Sequence, residues 1–155
     1  MSLAAVNETD YAVFHKLLTA YYREGEDAET PQEQLNGFVQ YLFDLCLAGK
    51  ISGCIAYDPA PVGFVLWNID SADGLFSNKP GYGTILEIGV SRSARNHGLG
   101  KLLVDHAESG MSVPNYYVCA YGPAERFWEK CGYVDSGELA ENGLKLMVKG
   151  ECDGR

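Results

Sequence analysis

Long apolar runs are absent from this 155-residue sequence. A membrane-spanning helix needs about 20 consecutive apolar residues, so the sequence predicts no membrane segment and no membrane partner. Basic residues are also scarce, with 12 Lys and Arg against 21 Asp and Glu and a formal net charge of −9. Because a nucleic acid requires a broad basic face on the protein, this charge balance argues against a nucleic-acid partner.

Cysteine and histidine are few, which limits the redox and metal chemistry that we expect. The five cysteines are odd in number and form no C-x-x-C pair, a pattern typical of scattered reduced thiols. No secretory signal is visible, so we expect a cytoplasmic protein. His15 and His106 lie on predicted helices without a partner at metal-ligand spacing, so no metal site is predicted. The length fits a single domain over residues 1–155.

Hydrophobic periodicity predicts strands and helices along the whole chain. The predicted strands are 3–7, about 51–57, 62–69, 84–90, Tyr116–Ala120, 133–138 and 144–149. Helices are predicted to start at a cap formed by Thr9 or Asp10, at a capping box Thr30-Pro31-Gln32-Glu33, after the loop before Leu99, and at Ala124. The second of these helices is predicted to have Phe38 on its packed face. The order β-α-α-β-β-β-α-β-α-β-β indicates an α/β (α+β) fold, with a mixed sheet and helices on both faces.

A basic, glycine-containing segment follows the strand that ends at Val90. Between Ile88 and Val104 the sequence has two Arg, one Lys and one His, and it has no acidic residue. The segment leads into a helix, whose first N–H groups lack acceptors and whose dipole favours an anion. Gly98 and Gly100 would let the backbone approach a bulky anion closely. In an acidic chain, this composition predicts a phosphate or pyrophosphate ligand.

Two common phosphate motifs do not fit this segment. A P-loop would need Gly in place of Arg95 and a hydroxyl in place of Leu102, and a dinucleotide fingerprint would need a small residue in place of Leu103. The remaining pattern is V-x-x-x-x-R-x-x-G-x-G from Val90 to Gly100. It resembles the acetyl-CoA-binding signature of the GNAT superfamily of N-acetyltransferases.

A second block downstream strengthens the resemblance. Residues 124–133, AERFWEKCGY, are similar to the family's second block, a helix that ends in Gly before an aromatic residue opens a strand. Phe127, Trp128 and Cys131 are spaced to share one helical face, and Gly132 suits the positive φ of a helix C-terminus. The family implies a GNAT-like mixed, mostly antiparallel central sheet that splays open after its fourth strand.

The resemblance implies acetyl-CoA as the cosubstrate, held mainly by main-chain groups. The backbone N–H groups of 95–101 would surround the pyrophosphate, and the backbones of Ile88 and Val90 would pair with the pantetheine amides. Arg92, Arg95 and Lys101 would add charge-assisted contacts or remain solvated surface charges. The implied cofactor-binding residues are Ile88, Gly89, Val90, Arg95, Asn96, His97, Gly98, Leu99, Gly100, Lys101 and Trp128.

Acetyl transfer to an amine needs a base, because a primary ammonium has a pKa near 10. Glu87 is the candidate general base, since it is an acid within an apolar strand and shares a face with Gly89. Its alternative role is an ion-paired or exposed position on the sheet. Many family members carry a general-acid Tyr where Trp128 stands here, and an indole N–H is not a usable acid. Tyr121 is therefore the candidate acid, with water as the alternative.

The expected acceptor is a small primary amine. Four acids between Arg23 and Glu29 could attract a polycation, although the same loop could be a solvated surface. Tyr21, Tyr22 and Trp67 could line the acceptor site or pack in the core. The sequence thus predicts an N-acetyltransferase. A non-catalytic acyl-CoA sensor and a protein or peptide N-acetyltransferase are the alternatives, and a homodimer is left open.

Overall fold

The computed structural model describes residues 1–25, 27–74 and 77–150. Its strands are β1 (Ser2–Ala5), β2 (Ser52–Tyr57), β3 (Pro61–Ile69), β4 (Gly83–Val90), β5 (Tyr116–Ala120), β6 (Val134–Leu139) and β7 (Lys145–Lys149). Its helices are α1 (Tyr11–Glu24), α2 (Gln32–Leu47), α3 (Leu99–Met111) and α4 (Glu125–Lys130), with short 3₁₀ turns at Arg92–Ala94 and Gly122–Ala124. None of these described helices is long and apolar enough to cross a membrane.

The strands of the described residues form one mixed sheet in the order β1-β2-β3-β4-β5-β7-β6. β1 pairs with β2 in antiparallel register, with Ser2 opposite Tyr57, and β5 and β6 each pair with β7 in the same sense. β4 and β5 are parallel, with Gly83 opposite Tyr116. The chain order and the mostly antiparallel sheet confirm the predicted fold class.

The first of two compact units comprises Met1–Leu66 and Glu87–Leu103. Its helices α1 and α2 bury one apolar side each, with Phe14 and Phe43 in edge-to-face contact at 5.2 Å. Burying one large apolar side chain contributes about 1.5–3 kcal/mol. The buried side chains of the two helices are Phe14, Leu18, Tyr22, Leu35, Val39, Leu42, Phe43 and Leu45. This packing fixes the last turn of α1, which contains Tyr21, Tyr22 and Glu24.

The second unit comprises Trp67–Leu86 and the residues from Val104 onward. Asp70 is buried at the end of β3 and accepts hydrogen bonds from the Tyr117 hydroxyl at 2.6 Å and the Lys79 N–H at 3.1 Å. Burial and the bond to Asp70 raise the pKa of the Tyr117 phenol. This buried pair fastens the loop after β3 to strand β5.

Asp10 is the N-cap residue of α1, as one of the two predicted alternatives has it, but neither amino-terminal helix has the predicted side-chain cap. Pro31, not Thr30, is the N-cap of α2, which has no side-chain cap; the Thr30 hydroxyl donates to Asp27 at 2.9 Å. Asp10 precedes α1, but its carboxylate accepts from the backbone N–H of Asn7. Each polar side chain thus stabilises the loop before its helix, so the helices depend on packing for their stability.

Of the other local predictions, two are confirmed and two are wrong. Phe38 was predicted on the packed face of α2 but is 43% exposed, in ring contact with Tyr22 at 5.5 Å. The first strand ends at Ala5, two residues earlier than predicted. Gly132 has the expected positive φ of +99° after α4, and Gly143, at φ +86°, closes the predicted hairpin.

Candidate active site

Glu87 lies near the end of β4 and is bound by two tyrosine hydroxyls from the last turn of α1. Tyr21 donates to Glu87 Oε1 at 2.9 Å, and Tyr22 donates to Oε2 at 2.6 Å. The predicted alternation of β4 agrees with this placement, because a Cβ at Gly89 would also lie 3.1 Å from the Tyr21 ring. Glu87 and Gly89 therefore both face α1.

The two tyrosines differ in burial. Tyr22 is only 6% exposed, whereas Tyr21 is half-buried, with its ring 5.1 Å from that of Tyr22 and 5.6 Å from that of Phe64. Burial, followed by the charge and the hydrogen bond of Glu87, raises the pKa of Tyr22. The phenol therefore keeps its proton and remains a donor at neutral pH. Such donors favour the ionised form of the carboxyl that accepts from them.

Close backbone packing fixes the end of β4. A Cβ at Gly63 would lie 2.9 Å from the Gly89 carbonyl oxygen, and a Cβ at Gly89 would lie 2.6 Å from the Phe64 ring. Beyond the strand, the Ser91 N–H donates to the Val62 carbonyl at 2.8 Å. A side chain at Gly63 or Gly89 would displace its neighbours, so glycine is required at both positions.

The segment from Ser91 to Gly98, here called the 91–98 bend, turns through two left-handed residues. Asn96 has φ +66° and Gly98 has φ +80°, conformations that asparagine tolerates and glycine adopts without cost. A Cβ at Gly98 would meet no heavy atom within 4 Å, so the surface is open there. Helix α3 begins at Leu99, and first-turn N–H groups have no intrahelical acceptor. A turn followed by a helix N-terminus is suited to an anion.

The arginines of the 91–98 bend share one carboxylate at the end of α1. Arg95 Nη2 contacts both oxygens of Glu24 at 3.0 Å, and Arg95 Nε donates to the Val90 carbonyl at 2.8 Å. Arg92 Nε donates to Glu24 at 3.3 Å. Partial burial opposes ionisation of Glu24, but the hydrogen bonds and charges of Arg95 and Arg92 together lower its pKa. The basic bend is thus partly neutralised and is fastened to both α1 and β4.

Several groups of the acidic loop after α1 bind to one another or to the neighbouring bend. Glu24 binds the bend arginines, and Asp27 accepts a hydrogen bond from the Thr30 hydroxyl. The Arg23 side chain donates to the backbone carbonyls of Asp27 at 2.9 Å and Thr30 at 2.7 Å. Glu26 lies outside the described residues. These contacts support a structural role for the loop and weaken the prediction that its acids attract a cation.

Tyr121 and Trp128 lie in the second unit. Tyr121 precedes the 3₁₀ turn Gly122–Ala124 and is 42% exposed. Trp128 is 6% exposed, and its ring contacts those of Phe127 at 5.0 Å and Tyr133 at 5.4 Å. The indole therefore contributes to the core of its unit, and the Tyr121 side chain remains accessible.

The other predicted cofactor-binding residues differ in exposure. Ile88, Val90 and Gly100 are half-buried, and Leu99, the first residue of α3, is buried. His97 and Lys101 are exposed. In the described part of the chain, no three His, Cys, Asp or Glu side chains form a group that could hold a metal ion.

Sequence reasoning missed two sets of partners in the first unit. It did not pair Glu24 with the bend arginines, which lie 68 and 71 positions away, and it did not link Glu87 to Tyr21 and Tyr22. No local pattern connects residues at such separations. The sequence contains one signal, the adjacent tyrosines, which it predicts either at the acceptor site or in the core.

Comparison with known proteins relates this site to one family. Residues 11–133 match the model of the acetyltransferase (GNAT) family. A GCN5-related N-acetyltransferase from Ralstonia eutropha is 20% identical with a TM-score of 0.72, covering 90% of this chain and 96% of that chain. The PaiA N-acetyltransferase from Thermoplasma acidophilum, solved in complex with coenzyme A, is 14% identical with a TM-score of 0.68, covering 96% and 99%.

A third structure is a spermidine N-acetyltransferase chimera of Vibrio cholerae SpeG and hSSAT. It is 16% identical with a TM-score of 0.64, covering 96% of each chain. No curated protein sequence matches the chain significantly. At these identities, the likeness to solved structures shows the fold.

Proposed function

We propose, from the premise that the chain belongs to the acetyltransferase (GNAT) family, that it transfers an acetyl group from acetyl-CoA directly to a primary amine. Acetyl-CoA is the cosubstrate, and the proposed acceptor is a small cationic amine. The observation that carries the proposal is the Glu87 carboxylate, held by two phenol donors on the strand that leads into the 91–98 bend. The proposed proton acceptor thus lies on β4, and the proposed anion-binding turn follows directly after the strand.

The 91–98 bend fits the pyrophosphate of acetyl-CoA. Gly98 leaves its surface open, and the first turn of α3 offers backbone N–H donors. Because Arg92 and Arg95 already share Glu24, we expect backbone amides to supply most of the phosphate contacts. The proposed cofactor contacts are 88–90 along the pantetheine arm, 95–101 around the phosphates, and Trp128.

In the proposed reaction, acetyl-CoA supplies an acetyl group activated as a thioester. Glu87 accepts a proton from the acceptor ammonium, directly or through a water, because the amine attacks only as the free base. A backbone N–H near Val90 would stabilise the charge that develops on the carbonyl oxygen. Tyr121 would donate the proton that the departing sulfur takes up as a C–N bond replaces the C–S bond.

A small cationic amine is supported by charge and by one structural likeness. The net charge of −9 favours the approach of a cation, and a spermidine N-acetyltransferase shares the fold. The rival function is a non-catalytic acyl-CoA sensor, which is favoured by Trp128 at the position where many relatives have Tyr. We expect a cytoplasmic enzyme, and a homodimer remains a prediction.

The test is thiol release from acetyl-CoA with polyamines, aminoglycosides and lysine peptides, followed by mass spectrometry of the acceptors. We expect acetylation of at least one small amine, and Glu87→Gln should lower kcat about 100-fold or more. The matched control is Glu108→Gln, another carboxylate bound by a tyrosine hydroxyl, at 2.7 Å from Tyr133. Stabilisation by acetyl-CoA without thiol release would favour the sensor, and acetylated peptides alone would favour a protein substrate. Equal losses in both variants would remove Glu87 from the mechanism.

A further inference from the structure

We propose that Tyr22 is a positioning residue for Glu87, with Tyr21 as its second donor. The hydroxyls hold the carboxylate in one orientation and favour its ionised form, which is the form that accepts a proton. This inference rests on the proposed role of Glu87 as the general base. It adds residues of α1 to the site on β4.

The convergence of the two hydroxyls is the first argument. Adjacent residues on a helix project about 100° apart and do not face each other. Tyr21 and Tyr22 nevertheless reach the two oxygens of one side chain, at 2.9 and 2.6 Å. Their rings meet edge to face at 5.1 Å. Each carboxylate oxygen of Glu87 thus has its own donor, which fixes the carboxylate plane as well as its position.

The surroundings of Tyr22 are the second argument. Its ring is buried in the first unit and contacts Phe38 at 5.5 Å, so the hydroxyl has little freedom to turn away from Glu87. The charged and titratable groups that act on Tyr22 are Glu87, Tyr21 and Asp27. The phenol hydroxyl of Tyr22 therefore lies against the Glu87 carboxylate as a hydrogen-bond donor.

The consequence for Glu87 follows from the strength of such bonds. A hydrogen bond to an ionised group is about twice as strong as one between neutral groups, and it favours the ionised form. Loss of the Tyr22 hydroxyl should therefore move the titration midpoint of Glu87 upward by about one pH unit. The same loss should let the carboxylate turn, which lowers kcat more than it changes the KM for acetyl-CoA.

The experiment compares Tyr22→Phe with Tyr117→Phe, a matched control that also removes a 2.6 Å bond from a buried tyrosine hydroxyl to a carboxylate. The first readout is the ¹³Cδ titration of glutamate-labelled protein without acetyl-CoA, with Glu87 assigned by Glu87→Gln. The second readout is the pH profile of kcat. We expect the Glu87 midpoint and the acidic limb of the profile to rise by about one pH unit in Tyr22→Phe alone.

An unchanged Glu87 midpoint in Tyr22→Phe, or an equal change in Tyr117→Phe, would overturn the proposal. If Tyr22→Phe does not fold, Tyr21→Phe gives the same test through the other oxygen. Absence of turnover in the wild-type protein would refute the proposed function. The titration of Glu87 would still measure the effect of the tyrosine hydroxyls on its carboxylate. Failure of the proposed function and failure of the proposed role of Tyr22 are therefore distinguishable.

Discussion

Replacing Gly98 with leucine should weaken binding of CoA far more than it weakens the fold. Gly98 has φ +80°, and a Cβ there would meet no heavy atom within 4 Å. The new side chain therefore has room in the free protein. It would project from the 91–98 bend, at the place where we expect the pyrophosphate to lie against the backbone.

The cost to stability can be separated from the cost to binding with a matched glycine. Gly143 has φ +86° in the β6–β7 turn, and a Cβ there also meets nothing within 4 Å. Leucine in the left-handed region costs about 1–2 kcal/mol at either site, which lowers the Tm by about 2–8 °C in a domain of this size. At Gly98 alone, loss of even one charge-assisted contact to a phosphate should cost a further 1.5–3 kcal/mol or so of binding free energy. The Kd for CoA should then rise about tenfold or more.

Titration calorimetry with CoA and thermal unfolding, run on wild type and both variants, measure these two quantities. The expected result is similar losses of Tm in Gly98→Leu and Gly143→Leu, with weaker CoA binding in Gly98→Leu alone. Equal Kd values in all three proteins would refute the assignment of the 91–98 bend to the cofactor. So would equal weakening in both variants, because strain alone would then explain the loss.

Two further predictions concern charge and pH. Glu24→Gln removes the carboxylate that pairs with Arg95, so the positive charge of the bend should attract the CoA phosphates more strongly. CoA should then bind a few-fold more tightly at low salt, and this gain should vanish at high ionic strength. Weaker CoA binding of the variant, measured by calorimetry, would contradict this. Burial first, and then bonds to carboxylates, raise the pKa values of Tyr22, Tyr117 and Tyr133 above that of a free phenol. Above about pH 10 the unfolded chain loses three protons that the folded chain keeps, so these groups should lower the free energy of unfolding by about 4 kcal/mol per pH unit. Urea unfolding between pH 9 and 11 measures the slope, and it should be smaller by about 1.4 kcal/mol per pH unit in Tyr117→Phe. An identical slope would exclude that tyrosine.

The order of helices and strands could be predicted because it is encoded in local periodicity. The apolar spacing of the helices, the short strands and glycines such as Gly132 each report on a few neighbouring residues. Helix caps were predicted less well for a physical reason. Helix α2 begins one residue later than the capping box predicts, with Pro31 as its N-cap, and the Thr30 hydroxyl is part of the preceding loop through its bond to Asp27.

The candidate site could be predicted only as far as its own strand and loop reach. Glu87, Gly98 and the basic residues follow one another along the chain, so their order alone indicated a proton acceptor beside an anion site. Their electrostatic environment comes from α1, more than 60 positions away. The acid-free segment looked fully basic in the sequence, yet Glu24 neutralises part of its charge.

One turn of helix links the two halves of the proposed chemistry. Tyr21, Tyr22 and Glu24 all belong to the last turn of α1, and they bind Glu87 and the arginines of the 91–98 bend. Arg95 closes the ring through the Val90 carbonyl. Residues in one hydrogen-bonded network are not energetically independent, so changes at Tyr22 and Glu24 should combine non-additively in kcat. The last turn of α1 therefore acts as one structural element of the site, although its residues contact different parts of β4 and the loop that follows.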